Sequence, residues 1–206
     1  MPATLVHGDP ASKATFLFAH GAGAAMDSDW MNDVASALAK EGVRVVRFEF
    51  PYMEARRSGK NRPPDRLSLL LATYRDMYEK EAVAGRRVFI GGKSMGGRIA
   101  SMIADEVSAG GVVCFGYPFI PVGKNEIPDD RVAHLLTLRT PALILQGTRD
   151  PFGTQSDIAS LHLRPRIVWI PDGDHDLKPR VKSGFTHAAH LATAAETAAR
   201  FMLDLA

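Results

Sequence analysis

The stretch Arg86-Arg87-Val88-Phe89-Ile90-Gly91-Gly92-Lys93-Ser94-Met95-Gly96-Gly97-Arg98 decides the fold. An apolar, β-branched and aromatic run at 88–91 stops at glycines. A helical periodicity through Met95, Ile99, Met102, Ile103 and Val107 then begins at once. Strand, sharp turn and helix follow one another with Ser94 at the bend, which is G-x-S-x-G in the context that gives it meaning. So tight a turn requires almost side-chain-free residues two before and two after the serine, and Gly92 and Gly96 stand there. The bend lifts the Ser94 hydroxyl above the sheet edge. It also aims the first amides of the helix at the same point, where a developing negative charge is favoured.

Two other motifs share these letters and fail. A Walker A loop needs glycine at 87, where Arg87 stands, and G-x-G-x-x-G needs glycine at 93 or 94, where Lys93 and Ser94 stand. A glycine-rich turn with an incidental serine stays open on this stretch alone, so the rest of the chain must decide.

Outward from this point, short apolar runs at 15–19, 43–48, 112–115, 142–145 and 167–170 alternate with longer helical patterns, and 4–7 adds an edge strand. The alternation predicts an α/β fold with a mostly parallel sheet of about 6–7 strands and helices on both faces. Helices are expected at 29–41, capped by Asp27 or Ser28, and at 66–83, 95–108, 154–162 and 185–205, the last with Phe185 on its buried side. Two stretches read as irregular: the proline- and arginine-rich 51–65 and the segment 117–139. Both follow strands, so both belong at the carboxyl ends, where sites of such sheets lie.

A serine nucleophile needs an acid and a base, in the chain order Ser, Asp/Glu, His. Asp150 follows the strand Pro141-Ala142-Leu143-Ile144-Leu145-Gln146-Gly147, although aspartate before proline is also a good turn former. His175 follows the last strand, in Pro171-Asp172-Gly173-Asp174-His175-Asp176, and is the one histidine in a loop after a late strand. Asp174 and Asp176 read as loop-shaping or solvated, with a minor reading as partners of His175. The loop His20-Gly21-Ala22-Gly23 follows the strand at 15–19 and supplies one oxyanion amide, from Ala22 or from Gly23, while Met95 supplies the other. Cys114, the single cysteine, reads as a buried strand residue.

Composition excludes other classes. The 206 residues, 46% hydrophobic and 23% charged, suit one globular domain over 1–206. A net charge of +2 is too balanced for nucleic acid or an anionic membrane as the main partner. One cysteine rules out an intramolecular disulfide and a multi-cysteine zinc site. Without a signal-like N-terminus or a membrane-length apolar run, the expected place is the cytoplasm.

The chain resembles the α/β-hydrolase superfamily over nearly its whole length. More narrowly it resembles the dienelactone-hydrolase-like branch that includes testis-expressed hydrolase-like proteins and the hydrolase-like domain of an NSL-complex subunit. The matching words lie at 18–24, 47–53, 91–98, 116–119, 145–153 and 173–179. The resemblance implies Ser94 as nucleophile, Asp150 as acid and His175 as base. Acyl transfer by these three residues needs no cofactor and no metal. The 117–139 connection is too short for a large cap domain, which leaves an open pocket.

The function this predicts is a serine esterase or thioesterase acting on a small acyl substrate, with Tyr52, Phe119 and Ile120 lining the acyl pocket. An amidase or peptidase, and a non-catalytic interaction module on the same fold, stay open beside it. Arg56, Arg57, Lys60 and Arg62 read as a solvated basic loop, or as a recognition element for an anionic substrate group.

Overall fold

The computed structural model describes residues 3–83 and 86–206. In chain order the elements are β1 (Thr4–His7), β2 (Ala14–Ala19), α1 (Asp29–Lys40), β3 (Arg44–Phe48), α2 (Pro51–Arg57), α3 (Leu67–Glu81) and β4 (Arg87–Lys93). They continue with α4 (Met95–Ile103), β5 (Val112–Phe115), α5 (Asp129–Thr137), β6 (Ala142–Gly147), α6 (Gln155–Ile158), β7 (Arg166–Ile170) and α7 (His187–Leu203). The strands form one seven-stranded sheet in the order β1-β3-β2-β4-β5-β6-β7. Only β1 runs antiparallel, pairing Thr4 with Phe48 at the edge.

Strands β2, β4 and β5 lie in the middle of the sheet, covered on both faces, and their residues are buried without polar alternation apart from Arg87 at the start of β4. The period of two sends Leu17, Val46 and Ile90 to one face, where α3 and α4 pack Tyr74, Ile99 and Ile103. It sends Phe16, Phe18 and Phe89 to the other, where α1 and α7 pack Leu38, Leu191 and Ala195. Alanine suits α7 because its small side chains bring the helix close to the sheet and to α1.

The structure differs from the sequence reading in six places. The loop expected at 51–65 begins with helix α2, entered through Pro51 at its first position, where a missing amide proton costs nothing. The irregular segment at 117–139 holds α5, whose buried Val132 and Leu135 are one helical turn apart. Helix α4 stops at Ile103, and α6 is a single turn, both shorter than expected. Ser28 stands at the start of α1 but makes no side-chain cap bond. Phe185 precedes α7, is 48% exposed, and meets the His190 ring at 5.0 Å instead of entering the core.

Tyr74 pins α3 to the sheet. Its hydroxyl lies 2.7 Å from both Leu17 O and Gly91 O, donating its one proton to one of them, and accepts from Gly91 N–H at 2.8 Å. Tyr74→Phe leaves a buried amide without a partner and is expected to cost about 1–3 kcal/mol. Urea unfolding checks this, and an unchanged midpoint contradicts it.

Candidate active site

The loops after β2, β4, β5, β6 and β7 meet at the carboxyl edge of the sheet, with Ser94 at their centre. Ser94 has φ 50° and ψ −114°, a backbone conformation that a non-glycine residue holds only when its surroundings impose it. Here the imposition is visible on both sides: Ser94 N–H donates to Phe115 O at 3.0 Å, and Ser94 O accepts from Arg98 N–H at 3.1 Å. The close approach also explains the flanking glycines. A Cβ on Gly96 would meet Ala19 O at 2.6 Å and His20 O at 2.7 Å, and one on Gly92 would meet the Gly96 carbonyl carbon at 2.7 Å.

Asp150 and His175 come together in the structure, with His175 Nδ1 lying 2.8 Å from Asp150 Oδ2. A carboxylate only accepts, so Nδ1 carries the proton and the neutral ring keeps its lone pair on Nε2. Asp150 is fully buried. Its other oxygen accepts from Phe152 N–H at 2.9 Å, and Gln146 Nε2 donates to Oδ2 at 2.9 Å. The Phe152 ring meets the His175 ring edge-on, with centroids 4.5 Å apart. Among the described residues no hydrogen bond joins Ser94 to His175, but both line one cleft of about 570 Å³ with Trp30 and Lys93. Such bonds are often long before substrate binds.

Ala22 and Met95 line a second cavity with Ser94, of about 320 Å³. Met95 is the first residue of α4, so its amide has no partner within the helix. The Ala22 loop is held by its carbonyls: Gly21 O by His20 Nδ1 at 2.7 Å, and Ala22 O by the Tyr52 hydroxyl at 3.1 Å and Arg56 at 3.3 Å. Phe50 N–H donates to His20 Nε2 at 3.1 Å, which fixes the neutral tautomer with its proton on Nδ1. Burial pushes the His20 pKa below its ordinary value.

The expected pocket residues part company. Ile120 lines the second cavity. Tyr52 and Phe119, both fully buried, do not line either cleft. Tyr52 is drawn under the Ala22 loop by its hydroxyl, and Phe119 is packed 4.6 Å from the Tyr117 ring. Two of the loop arginines, Arg56 and Arg57, are occupied as well. Arg57 forks onto buried Glu49 at 2.7 Å, and Arg56 donates to Arg62 O at 2.7 Å and stacks over Tyr52.

Two residues escaped the sequence reading. Gln146 joins β5 to β6, accepting from Tyr117 N–H at 2.7 Å while holding Asp150. Its signal was a polar residue in the otherwise apolar run 142–147. Lys93, beside the nucleophile, is buried under the histidine loop. Its ammonium donates to His175 O, pairs with Asp176 at 3.1 Å and lies 5.4 Å from the Trp30 ring. Burial lowers its pKa, while Asp176 opposes the shift. Asp176 is therefore a partner of this lysine, and Asp174 shapes the loop by accepting from the Asp176 and Lys178 amides, both at 2.9 Å. Trp30 and His187 hold Asp176 O at 3.0 and 2.9 Å, and His190 holds Leu177 O at 2.9 Å.

Among the described residues, no group of three or more metal-ligating side chains forms a site, and no helix is long and apolar enough to cross a membrane.

A chain with this sheet, this strained serine and this edge of loops has the architecture of an α/β hydrolase, and the family comparison agrees. Residues 12–203 match the model of an alpha/beta hydrolase domain, and the chain belongs to that family. No curated protein matches it in sequence. Among solved structures it is similar to an α/β serine hydrolase without a lid from Xanthomonas campestris, at 18% identity and a TM-score of 0.70, over 96% of this chain and 87% of that one. It is also similar to a dienelactone hydrolase from Anabaena variabilis, at 20% identity and a TM-score of 0.70, over 98% and 90% of the two chains. Est1E from Butyrivibrio proteoclasticus, solved with ferulic acid bound, aligns at 15% identity and a TM-score of 0.73, over 98% and 94%. At these identities the likeness is one of fold.

Lys93→Met removes the cation that ties down His175 O and Asp176. Amide exchange at 174–178 is expected to rise about tenfold or more, read by hydrogen-exchange mass spectrometry. Unchanged protection would show that the loop holds without it. A second expectation concerns acid. Burial holds His20 below the ordinary 6.5, and burial with the nearby Arg98 charge takes His134 to about 4. The unfolded chain therefore binds more protons than the folded one. The stabilisation is complete above about pH 6.5 and is lost as pH falls towards 4. Unfolding midpoints measured across that window should fall, and His134→Gln should flatten the slope.

Proposed function

We propose that the protein is a serine hydrolase that cleaves an acyl ester or thioester of a small substrate. The observation that carries this reading is the 2.8 Å His175–Asp150 pair facing the same cleft as Ser94 in its strained bend. In this reading His175 Nε2 takes the Ser94 proton as Oγ attacks the acyl carbon. The carbonyl π pair moves onto oxygen, and the Ala22 and Met95 amides hold the resulting oxyanion. Asp150 keeps the imidazolium oriented and stabilised. The oxyanion collapses, the bond to the alcohol or thiol breaks, and the imidazolium protonates the leaving group. Water then gives its proton to His175 and its oxygen to the acyl carbon. The acid departs and Ser94 recovers its proton.

The test is labelling and turnover. Wild-type protein is expected to react with a fluorophosphonate probe at Ser94 and to hydrolyse a short activated ester without added metal. Ser94→Ala should abolish both while its unfolding midpoint stays near wild type. Asp150→Asn should lower turnover by about 10⁴-fold, the size seen when the orienting acid of such a triad is lost. Folded wild-type protein that neither labels nor outperforms Ser94→Ala would point to an interaction module instead.

A further inference from the structure

The cavity of about 320 Å³ that opens at Ser94 has an apolar wall, with Leu70, Ile99 and Ile120, and a basic end made by Arg98 and Arg131. Arg98 sits one helical turn after Ser94, about 6 Å along the axis, and helix side chains lean back towards the N-terminus. Its side chain is only 12% exposed. Its Nε is buried without a hydrogen-bond partner. Among the described residues, the one carboxylate near its guanidinium is Asp130, 3.6 Å away on a side chain 72% exposed to water.

Arg131 is partly buried. Among the described residues it enters hydrogen bonds only through its backbone, donating to Pro128 O and accepting from the Tyr117 hydroxyl. Burial, and then the Arg98 charge, lowers its pKa from the ordinary value, so the two cations feel each other in a confined space. Asp65 also lines the cavity, but its carboxylate already accepts from Tyr52 N–H at 2.8 Å. His134, hydrogen-bonded to Ser101 at 2.9 Å, is a neutral neighbour near pH 7.

A desolvated guanidinium with empty donor positions costs free energy until an acceptor arrives. The acceptor that fits its planar fork is a carboxylate. We propose that this cavity is the acyl subsite, and that it takes an acyl chain ending in a carboxylate held by Arg98 and Arg131. The substrate class this assigns is the monoester or monothioester of a short dicarboxylic acid. The leaving group then occupies the other cleft, against Trp30 and Phe152. The inference rests on the serine hydrolase reading for its chemistry, but the carboxylate site has a readout of its own.

The experiment compares phenyl hydrogen glutarate with its uncharged isostere, phenyl methyl glutarate, after subtraction of spontaneous hydrolysis. Wild-type kcat/KM is expected to favour the anionic ester at least tenfold. Arg98→Gln and Arg131→Gln should each lower that ratio about tenfold. In parallel, calorimetry measures glutarate binding to Ser94→Ala, with glutaramide as the uncharged control. Glutarate alone should bind, and adding Arg98→Gln should weaken it at least tenfold. A wild-type ratio near one, a ratio untouched by the arginine variants, or equal binding of glutaramide overturns the subsite. Failure of fluorophosphonate labelling with arginine-dependent glutarate binding intact would instead overturn the hydrolase and leave the subsite standing.

Discussion

The backbone of Ser94 is held in a conformation it would not choose. A serine at φ 50° persists because β4 lies between β2 and β5 in the middle of the sheet, and because Phe115 O and the first turn of α4 bond it from both sides. The rest of the edge is organised around that bend. Gly92 and Gly96 lack side chains because Ala19 and His20 carbonyls occupy the space. The helix that follows starts at Met95 with an amide that has no partner within the helix, and carries Arg98 one turn later to the cavity beside the serine. A shift of the strand by one residue would reverse every side chain and dissolve the arrangement.

Buried charge supplies the second layer of organisation. Charges are costly to take out of water, so each one present here is engaged by a specific neighbour or leaves a visible deficit. Lys93 is engaged, tying the His175 backbone and Asp176 to the floor of the cleft under Trp30. Glu49 and Arg57 are engaged, stabilising the segment that carries Tyr52 beneath the Ala22 loop. Asp150 is engaged by Gln146, Phe152 and His175. Among the described residues Arg47 and Arg98 each keep a buried Nε without a partner, but Met26 O and Asn32 hold the end of the Arg47 side chain, whereas Arg98 has only exposed Asp130 and lies beside the nucleophile. The Arg98 guanidinium, at the wall of the cavity that opens at Ser94, is where the proposed carboxylate would bind.

Much of the architecture was legible in the residues. The sharp strand-to-helix bend needs glycine at fixed offsets, and buried strands need uninterrupted apolar runs. These local requirements located β2 to β7 and the Ser94 turn, and they put Asp150 and His175 after the right strands. Reading failed where local pattern and tertiary context diverge. Helix α2 hides in a proline- and arginine-rich run because its stability comes from packing Tyr52 and Met53, not from propensity. Tyr52 and Phe119 follow strand ends, as pocket residues do, yet the Tyr52 hydroxyl is drawn to a carbonyl 30 residues away and the Phe119 ring packs on Tyr117, which keeps both out of the clefts.

What the sequence determined alone was the order of elements, the bend at Ser94 and the candidate residues after each strand, because each follows from short-range sterics or from the period of a buried face. Only the tertiary structure decided that His175 meets Asp150 through its Nδ1, that Lys93 belongs to the histidine loop, and that the arginines lining the cavity at Ser94 are Arg98 and Arg131, while Arg56 and Arg57 are held by Arg62 O and Glu49. Those outcomes depend on which groups share a low-dielectric space after folding. That space is created by contacts between segments tens of residues apart, which no local pattern encodes.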